Sequence, residues 1–181
     1  LIMHQKLDLY RKKKKNISYI FKLVCWNFIG KPFISSFIPG TYWRKIILRI
    51  FGAKIGKGGK IKPHIKISEP WNLKIGDHCW LGENIWIDNL SLVNIGNRVC
   101  ISQDVYICTG NHNYKNELFD LILKSIVIKD DCWLAAKSVV SPGSILEEGS
   151  IASMGAVISG NLKRNCIYKG NPAKFFKSRY D

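Results

Sequence analysis

The chain has 181 residues, with 28 Lys and Arg against 13 Asp and Glu, 46% hydrophobic and 12% aromatic residues. That length and apolar content suit one globular domain with its own core and exclude a disordered or fibrous chain. The formal charge of +15 is confined to one end: residues 1–60 hold 14 basic residues and one acid, Asp8, a net of 14 − 1 = +13, whereas residues 61–181 hold 14 basic and 12 acidic, a net of +2. A nucleic-acid groove would need cations interleaved with exposed aromatics across the main domain. That domain is nearly neutral, so no nucleic-acid partner is expected.

The basic leader occupies about residues 1–50. Arg11 to Lys15 form a cationic run, followed by Ile17, Tyr19, Ile20, Phe21, Val24, Trp26, Phe28 and Ile29, an aromatic-rich stretch that predicts a helix. A second helix is expected from about Trp43 to Phe51, where Ile46, Ile47, Ile50 and Phe51 recur at helical spacing between Arg44, Lys45 and Arg49. The apolar stretch is interrupted by Lys22, precedes no small-residue cleavage site and falls short of the roughly 20 apolar residues that span a bilayer. Two roles stay open for the leader: a cap on the following domain, or an interfacial element whose aromatics enter lipid headgroups beside a cationic cluster. Six cysteines, at 25, 79, 100, 108, 132 and 166, form no CxxC pair and no short secreted frame. They are expected to be reduced, buried thiols of a cytoplasmic protein.

From Ile55 the rhythm changes. Ile-Gly recurs at 55, 75 and 95, twenty residues apart, and aliphatics recur every sixth position within each interval: Ile55, Ile61, Ile67, Leu73; then Ile75, Leu81, Ile87, Val93; then Ile95, Ile101, Ile107. The beat resumes at Ile128, Leu134, Val140, Leu146, Ala152 and Ile158. A period of six fits neither an amphipathic helix nor an alternating strand. It fits short strands joined by tight corners, three per coil, stacked as a parallel β-helix with one aliphatic of each hexad pointing inward. The extra residues near Pro70-Trp71 and Asn89-Leu90 read as corner bulges. The beat breaks between Ile107 and Ile126, so residues 109–125 are expected to leave the coil as a loop carrying Gly110, Asn111, His112, Asn113 and Tyr114.

These residues resemble the left-handed β-helix hexapeptide-repeat acyltransferases, and among them the colanic-acid-type acetyltransferases of surface polysaccharide clusters. The resemblance runs from Arg49-Ile-Phe-Gly-Ala-Lys-Ile-Gly56 through Pro70-Trp-Asn-Leu73, Trp86-Ile-Asp-Asn-Leu90, Cys100-Ile-Ser-Gln103, Cys108-Thr-Gly-Asn-His112 and Phe119-Asp-Leu121 to Gly170-Asn-Pro-Ala-Lys174. It implies a mainly β, left-handed parallel β-helix over residues 51–168, a C-terminal tail at 169–181, and a homotrimer with sites between subunits. It also implies transfer of acetyl from acetyl-coenzyme A to a hydroxyl of a free or lipid-linked glycan, with no metal. An amino sugar or an antibiotic is the alternative acceptor, and a membrane-surface binding module without catalysis is the alternative of a different class.

The family's catalytic histidine falls on His112, with Asn111 beside it. A neutral imidazole suits removal of the hydroxyl proton as the oxygen attacks a thioester. Trp133, Ala135, Ala136, Ser153, Met154 and Ser159 occupy positions where relatives contact the cofactor, and Lys174 is placed to meet a phosphate. Glu83, Asn84, Asp88 and Asn89 form a polar cluster one coil before the loop, expected to meet the acceptor sugar. Cys108, directly after inward Ile107, is expected to be a wall thiol and not a nucleophile. A metal-dependent hydratase of the same architecture would need three converging histidines. His64, His78 and His112 stand nine, three and seventeen residues past their coils' Ile-Gly starts, on three different faces.

Overall fold

A computed structural model describes residues 4–10 and 15–181. Most of the cationic run, Arg11–Lys14, lies outside the described residues. The repeat region forms three parallel sheets. The first has six strands, at Lys54–Ile55, Leu73–Ile75, Val93–Ile95, Ile126–Ile128, Ile145–Leu146 and Asn161–Leu162. The second begins at Lys60–Ile61 and continues through Trp80, Cys100, Trp133 and Ile151 to Cys166–Lys169; the third runs from Lys66–Ile67 through Trp86, Tyr106 and Val139 to Val157–Ile158. Each coil visits the sheets in that order, in a register such as Ile55 on Ile75 and Ile67 on Ile87, twenty residues on. The expected mainly β, parallel β-helix is therefore present.

The six-residue beat arises because each coil has room for only a thin core. The in-phase aliphatics from Ile61 to Ile158 are buried, and Ile55 at the open end is half-buried. A second inward position, two residues earlier in the hexad, is filled by Cys79, Ile65, Ile85, Val99, Val105 and Cys132. These residues sit where the chain turns a corner, so their side chains point in as well. The residue before each is left-handed, with φ near 58° at His78 and 57° at Asn84. That is why Asn, Asp, His and Gly collect there. The thiols are free, two of them buried (Cys79 and Cys132) and four half-buried.

The leader is the cap. It contains α1 (Ile17–Cys25), a π-helical turn (Trp26–Gly30), α2 (Lys31–Ile34) and α3 (Tyr42–Ile50). No helix among the described residues is long and apolar enough to cross a membrane. In the parallel ladder carbonyls such as those of Ile75, Leu81 and Ile87 accept from the coil before, so the corresponding carbonyls of the first coil have no strand to meet. The leader supplies the donors instead. Arg49 donates to the Ile55 and Gly56 oxygens at 2.8 and 3.0 Å, Lys45 to Gly59 at 3.5 Å and Thr41 to Ile61 at 3.3 Å. Ser35 donates to Ile65 at 2.9 Å, and Trp26 Nε1 to Ile67 at 3.1 Å. Fully buried Arg44 ties the α2–α3 connection together by donating to the carbonyls of Ile34, Ser36, Ile38 and Gly40. Buried Glu69 anchors α1, accepting from the Tyr19 hydroxyl, from Trp71 Nε1 at 3.0 Å and from Asn72 Nδ2 at 2.8 Å. Burial, with Glu69 adding to it, pushes the Tyr19 phenol well above its usual range.

Two expected segments take a definite form. In the C-terminal tail at 169–181, Lys174–Ser178 pairs antiparallel with Cys166–Lys169 and becomes the edge strand of the second sheet. The loop excursion at 109–125 is built on a β-hairpin, Gly110–His112 against Leu121–Leu123, which pairs its own backbone away from the coil.

Trp26→Phe should keep the packing but orphan the Ile67 carbonyl, lowering stability by about 1–3 kcal/mol in a denaturant titration. At the corner between the first and second sheets, Asp130 accepts from the Asn97 N–H and Nδ2 at 2.9 and 3.0 Å. These bonds, with the nearby Arg98 charge, hold its carboxyl below the ordinary 3.8. A depressed carboxyl stabilises the fold above its unfolded value and loses that contribution as pH falls through the folded value. The melting temperature should therefore drop below about pH 4, with a shallower acid limb in Asp130→Asn.

Candidate active site

His112 ends the first strand of the hairpin and is half-buried. Its Nδ1 lies 2.6 Å from the carbonyl oxygen of Phe119. A carbonyl can only accept, so Nδ1 carries the proton in the neutral ring and Nε2 keeps a free lone pair. The imidazole also stacks on the Phe119 ring, with centroids 4.3 Å apart and planes 8° from parallel, and Tyr10 meets it edge-on at 6.4 Å. Phe119 holds this arrangement from a left-handed backbone, φ 52°. That is a costly conformation for a bulky residue and it persists only where neighbours impose it. Here they do. The Phe119 N–H donates to Asn116 O at 2.9 Å, and Asn116 Nδ2 reaches Asp120 at 2.8 Å. The Asn113 N–H reaches Asp120 O at 2.8 Å.

The hairpin is also strapped from outside. The Lys6 N–H donates to Glu117 O at 2.7 Å and the two side chains form an ion pair, so the start of the leader, before α1, lies across the hairpin tip. Exposed Asn111 folds its amide oxygen back onto the His112 N–H at 2.8 Å, which shapes the strand that carries the imidazole. Phe119 and Tyr10 are the residues that sequence reasoning missed. Phe119 lay inside a family-like motif without a role, and Tyr10 is about a hundred positions from His112.

Of the four acceptor residues, Asp88 stands beside the root of the hairpin. It pairs in register with Cys108, and its carbonyl accepts from the Thr109 N–H and Oγ1 at 3.1 and 3.0 Å. Its carboxylate accepts from Ser68 Oγ at 2.7 Å and keeps further capacity. Asn89 is a correction: it is fully buried and its amide bonds both ways to the Glu69 backbone, at 2.6 and 3.1 Å, so it has no group left for a sugar. Glu83 and Asn84 are exposed but lie at the corner between the second and third sheets, whereas the hairpin leaves the corner between the third and first. A whole sheet face, about 10 Å of strand, separates them. Cys108 donates to Gly110 O at 3.3 Å from a half-buried wall position, as expected.

The cofactor-position residues divide in the same way. Ala135, Ala136, Ser153 and Met154 stack along the Glu83 corner, coil on coil, with the Asp104 N–H on Glu83 O and the Gly155 N–H on Ala136 O. Trp133, half-exposed on the second sheet, donates Nε1 to Ser102 Oγ at 3.0 Å. Ser159 lies on the hairpin's corner instead, and exposed Lys174 lies on the closing strand. Along the Glu83 corner an added Cβ at Gly155 would meet nothing within 4 Å, and Met154 is 73% exposed. This open ridge of small side chains fits an extended thioester ligand lying against the backbone. A shallow groove of about 560 Å³ on the first sheet, lined by Arg49, Lys54, Lys74 and Asn94, lies away from His112. No group of three or more potential metal ligands occurs among the described residues.

No protein-family model matches the chain. It is 37% identical over 139 residues, 77% of this chain and 76% of the relative, to an Escherichia coli K12 protein named as a colanic acid biosynthesis acetyltransferase, WcaF. The galactoside O-acetyltransferase of the same organism is 22% identical over 141 residues, 76% of this chain and 70% of that one. Among solved structures, the hexapeptide-repeat acetyltransferase VCA0836 of Vibrio cholerae O1 biovar eltor, in complex with acetyl-coenzyme A, superposes with a TM-score of 0.83 at 19% identity. That match covers 97% of this chain and 96% of that one. A galactoside acetyltransferase in complex with coenzyme A gives 0.77 at 18% identity, covering 93% and 86%. The chain belongs to the hexapeptide-repeat acetyltransferases, in the branch that contains WcaF.

Phe119→Ala should remove the stacked ring and free the backbone that holds Nδ1–H. Acetyl transfer should fall about tenfold or more, within the range for a misoriented general base, with little change in melting temperature because the hairpin stands outside the core. Steady-state kinetics and a thermal melt check this together.

Proposed function

We propose that the chain is an acetyl-coenzyme A-dependent O-acetyltransferase acting on a sugar hydroxyl in surface polysaccharide synthesis, with His112 as general base. The observation that carries this reading is the Nδ1–H bond to Phe119, which leaves Nε2 as a lone-pair acceptor on a hairpin raised from a rigid scaffold. Nε2 takes the hydroxyl proton as the sugar oxygen bonds to the thioester carbonyl carbon. When the carbon–sulfur bond breaks, the imidazolium returns that proton to the departing thiolate. The Phe119 carbonyl stabilises the transient cation through Nδ1–H. No acyl-enzyme is needed, and Cys108 stays a wall residue. Asp88, one coil below the hairpin root, orients the sugar through its free carboxylate capacity.

Donor and base stand on different corners of one chain. The open ridge at Ala136 and Met154 supports donor binding there, with Lys174 as the cation for a phosphate. A homotrimer, in which one chain's ridge faces the hairpin of the next, would unite the two halves. Glu83 and Asn84 would then reach the acceptor from the neighbouring subunit, since they share that ridge. Such head-to-tail contacts between unlike faces close into a ring when the rotation between subunits permits it.

The test is incubation of the purified chain with acetyl-coenzyme A and a panel of free and lipid-linked glycans, read by mass increase. His112→Ala should lose about 10²–10⁴ in rate, while Cys108→Ser should stay near wild type. Full activity in His112→Ala removes the base assignment. Acetylation confined to amino groups removes the O-transfer assignment.

A further inference from the structure

The leader has two faces, and the cap uses only one. Tyr19, Trp26 and Ile34 point into the β-helix, but Ile17, Ile20, Phe21, Val24 and Phe28, spaced i, i+3, i+4, i+7 and i+11, form a stripe along the opposite side. Ile17 is 86% exposed, Phe21 69% and Phe28 79%. On α3, Tyr42 and Ile50 are exposed as well. Soluble surfaces seldom leave so many large apolar side chains together without a partner.

The surrounding charge identifies that partner. From Leu9 to Ser68 there is no Asp or Glu, and Glu69, the first carboxylate after that gap, is buried beneath Tyr19 and Trp71. Among the described residues the capped end therefore presents cations alone: Lys15, Lys22, Lys31 and the lysines of the first coil. In the sequence four more, Arg11–Lys14, directly precede Lys15. Pairing this face with a second copy would oppose two strongly cationic leaders, whereas an anionic bilayer both covers the apolar stripe and neutralises the charge. We infer that the outward face of the leader docks on an anionic lipid surface, with Phe21 and Phe28 in the headgroup layer and the first-coil end toward the membrane.

This deepens the proposed activity by naming the acceptor as a lipid-linked glycan, and for that step it rests on the sugar O-acetyltransferase reading. The hairpin that carries His112 leaves the third coil, two coil spacings or about 10 Å from the capped end. With the leader helix, about 10 Å across, between the first coil and the lipid, His112 would stand about 20 Å from the docking face, at the height of sugars along a lipid-linked chain.

The experiment is flotation of the full chain with vesicles of equal parts phosphatidylglycerol and phosphatidylcholine, and with phosphatidylcholine alone. Wild type should float with the first and not the second. Phe21→Glu combined with Phe28→Glu should cut the bound fraction about tenfold or more, from loss of two buried aromatics. Its melting temperature and its acetyl transfer to a free glycan should not change, since both side chains are exposed on the outer face of the cap and neither touches the site. Absence of wild-type flotation, or equal flotation of the double variant, would overturn docking. So would a wild-type assembly that the substitutions dissolve without any lipid binding, which would assign the face to a second copy. Flotation without transfer to any sugar would keep the docking and remove the acceptor, and transfer to free glycans without flotation would do the reverse.

Discussion

The carbonyl oxygens of the first coil, from Ile55 round to Ile67, face no preceding strand, and the rest of the molecule depends on how they are met. A parallel β-helix hydrogen-bonds each coil to the coils on both sides of it, so each added coil moves the outward-facing unpaired row along without removing it. Left open, that row is a template for edge-to-edge association, and each buried orphan costs about 1–3 kcal/mol. The leader meets six of these oxygens in spiral order with side chains drawn from Trp26, Ser35, Thr41, Lys45 and Arg49. Side-chain donors succeed here because a helix cannot extend a strand ladder with its own backbone. The opposite end is closed more simply, by the antiparallel strand Lys174–Ser178.

With both ends closed, the three faces are rigid enough to carry an excursion. The coil resumes after the hairpin with unbroken pairing, Val93 on Ile126 and Ile95 on Ile128, so residues 109–125 are inserted between coils without disturbing the ladder. The hairpin can then hold a strained Phe119 and an oriented His112, because its backbone is satisfied internally and its ends are fixed by the scaffold. The tautomer of His112 is thus set by one carbonyl, and the position of that carbonyl by a backbone angle that the tip network imposes.

A triangular coil also separates side chains by corner. The ridge of Ala135, Ala136 and Ser153 follows one edge of the prism and the hairpin leaves another. Under the proposed function that division gives a physical reason for assembly: a neighbouring prism would bring a second edge where one chain offers only one.

The six-residue beat was legible because each coil buries one aliphatic per face, and the break at Ile107 marked the hairpin because a regular coil has no room for the extra residues. The break also placed His112 on the excursion and Asp88 one coil before it; their roles toward a thioester and a sugar came from the resemblance to the family and stand as proposals. Other features were not. Asn89 looked like a sugar ligand by its type and neighbours, but only the coil below it, with the Glu69 backbone twenty residues away, shows that its amide is already engaged. Tyr10 and Phe119 reach the imidazole through contacts that no local spacing encodes. The +15 charge and the aromatic leader were plain in the sequence, which left cap and interfacial element both open. Tertiary structure decided that the leader is a cap, because only the folded coil exposes a row of carbonyls for its donors to meet. It also decided which face of that leader remains for solvent or lipid.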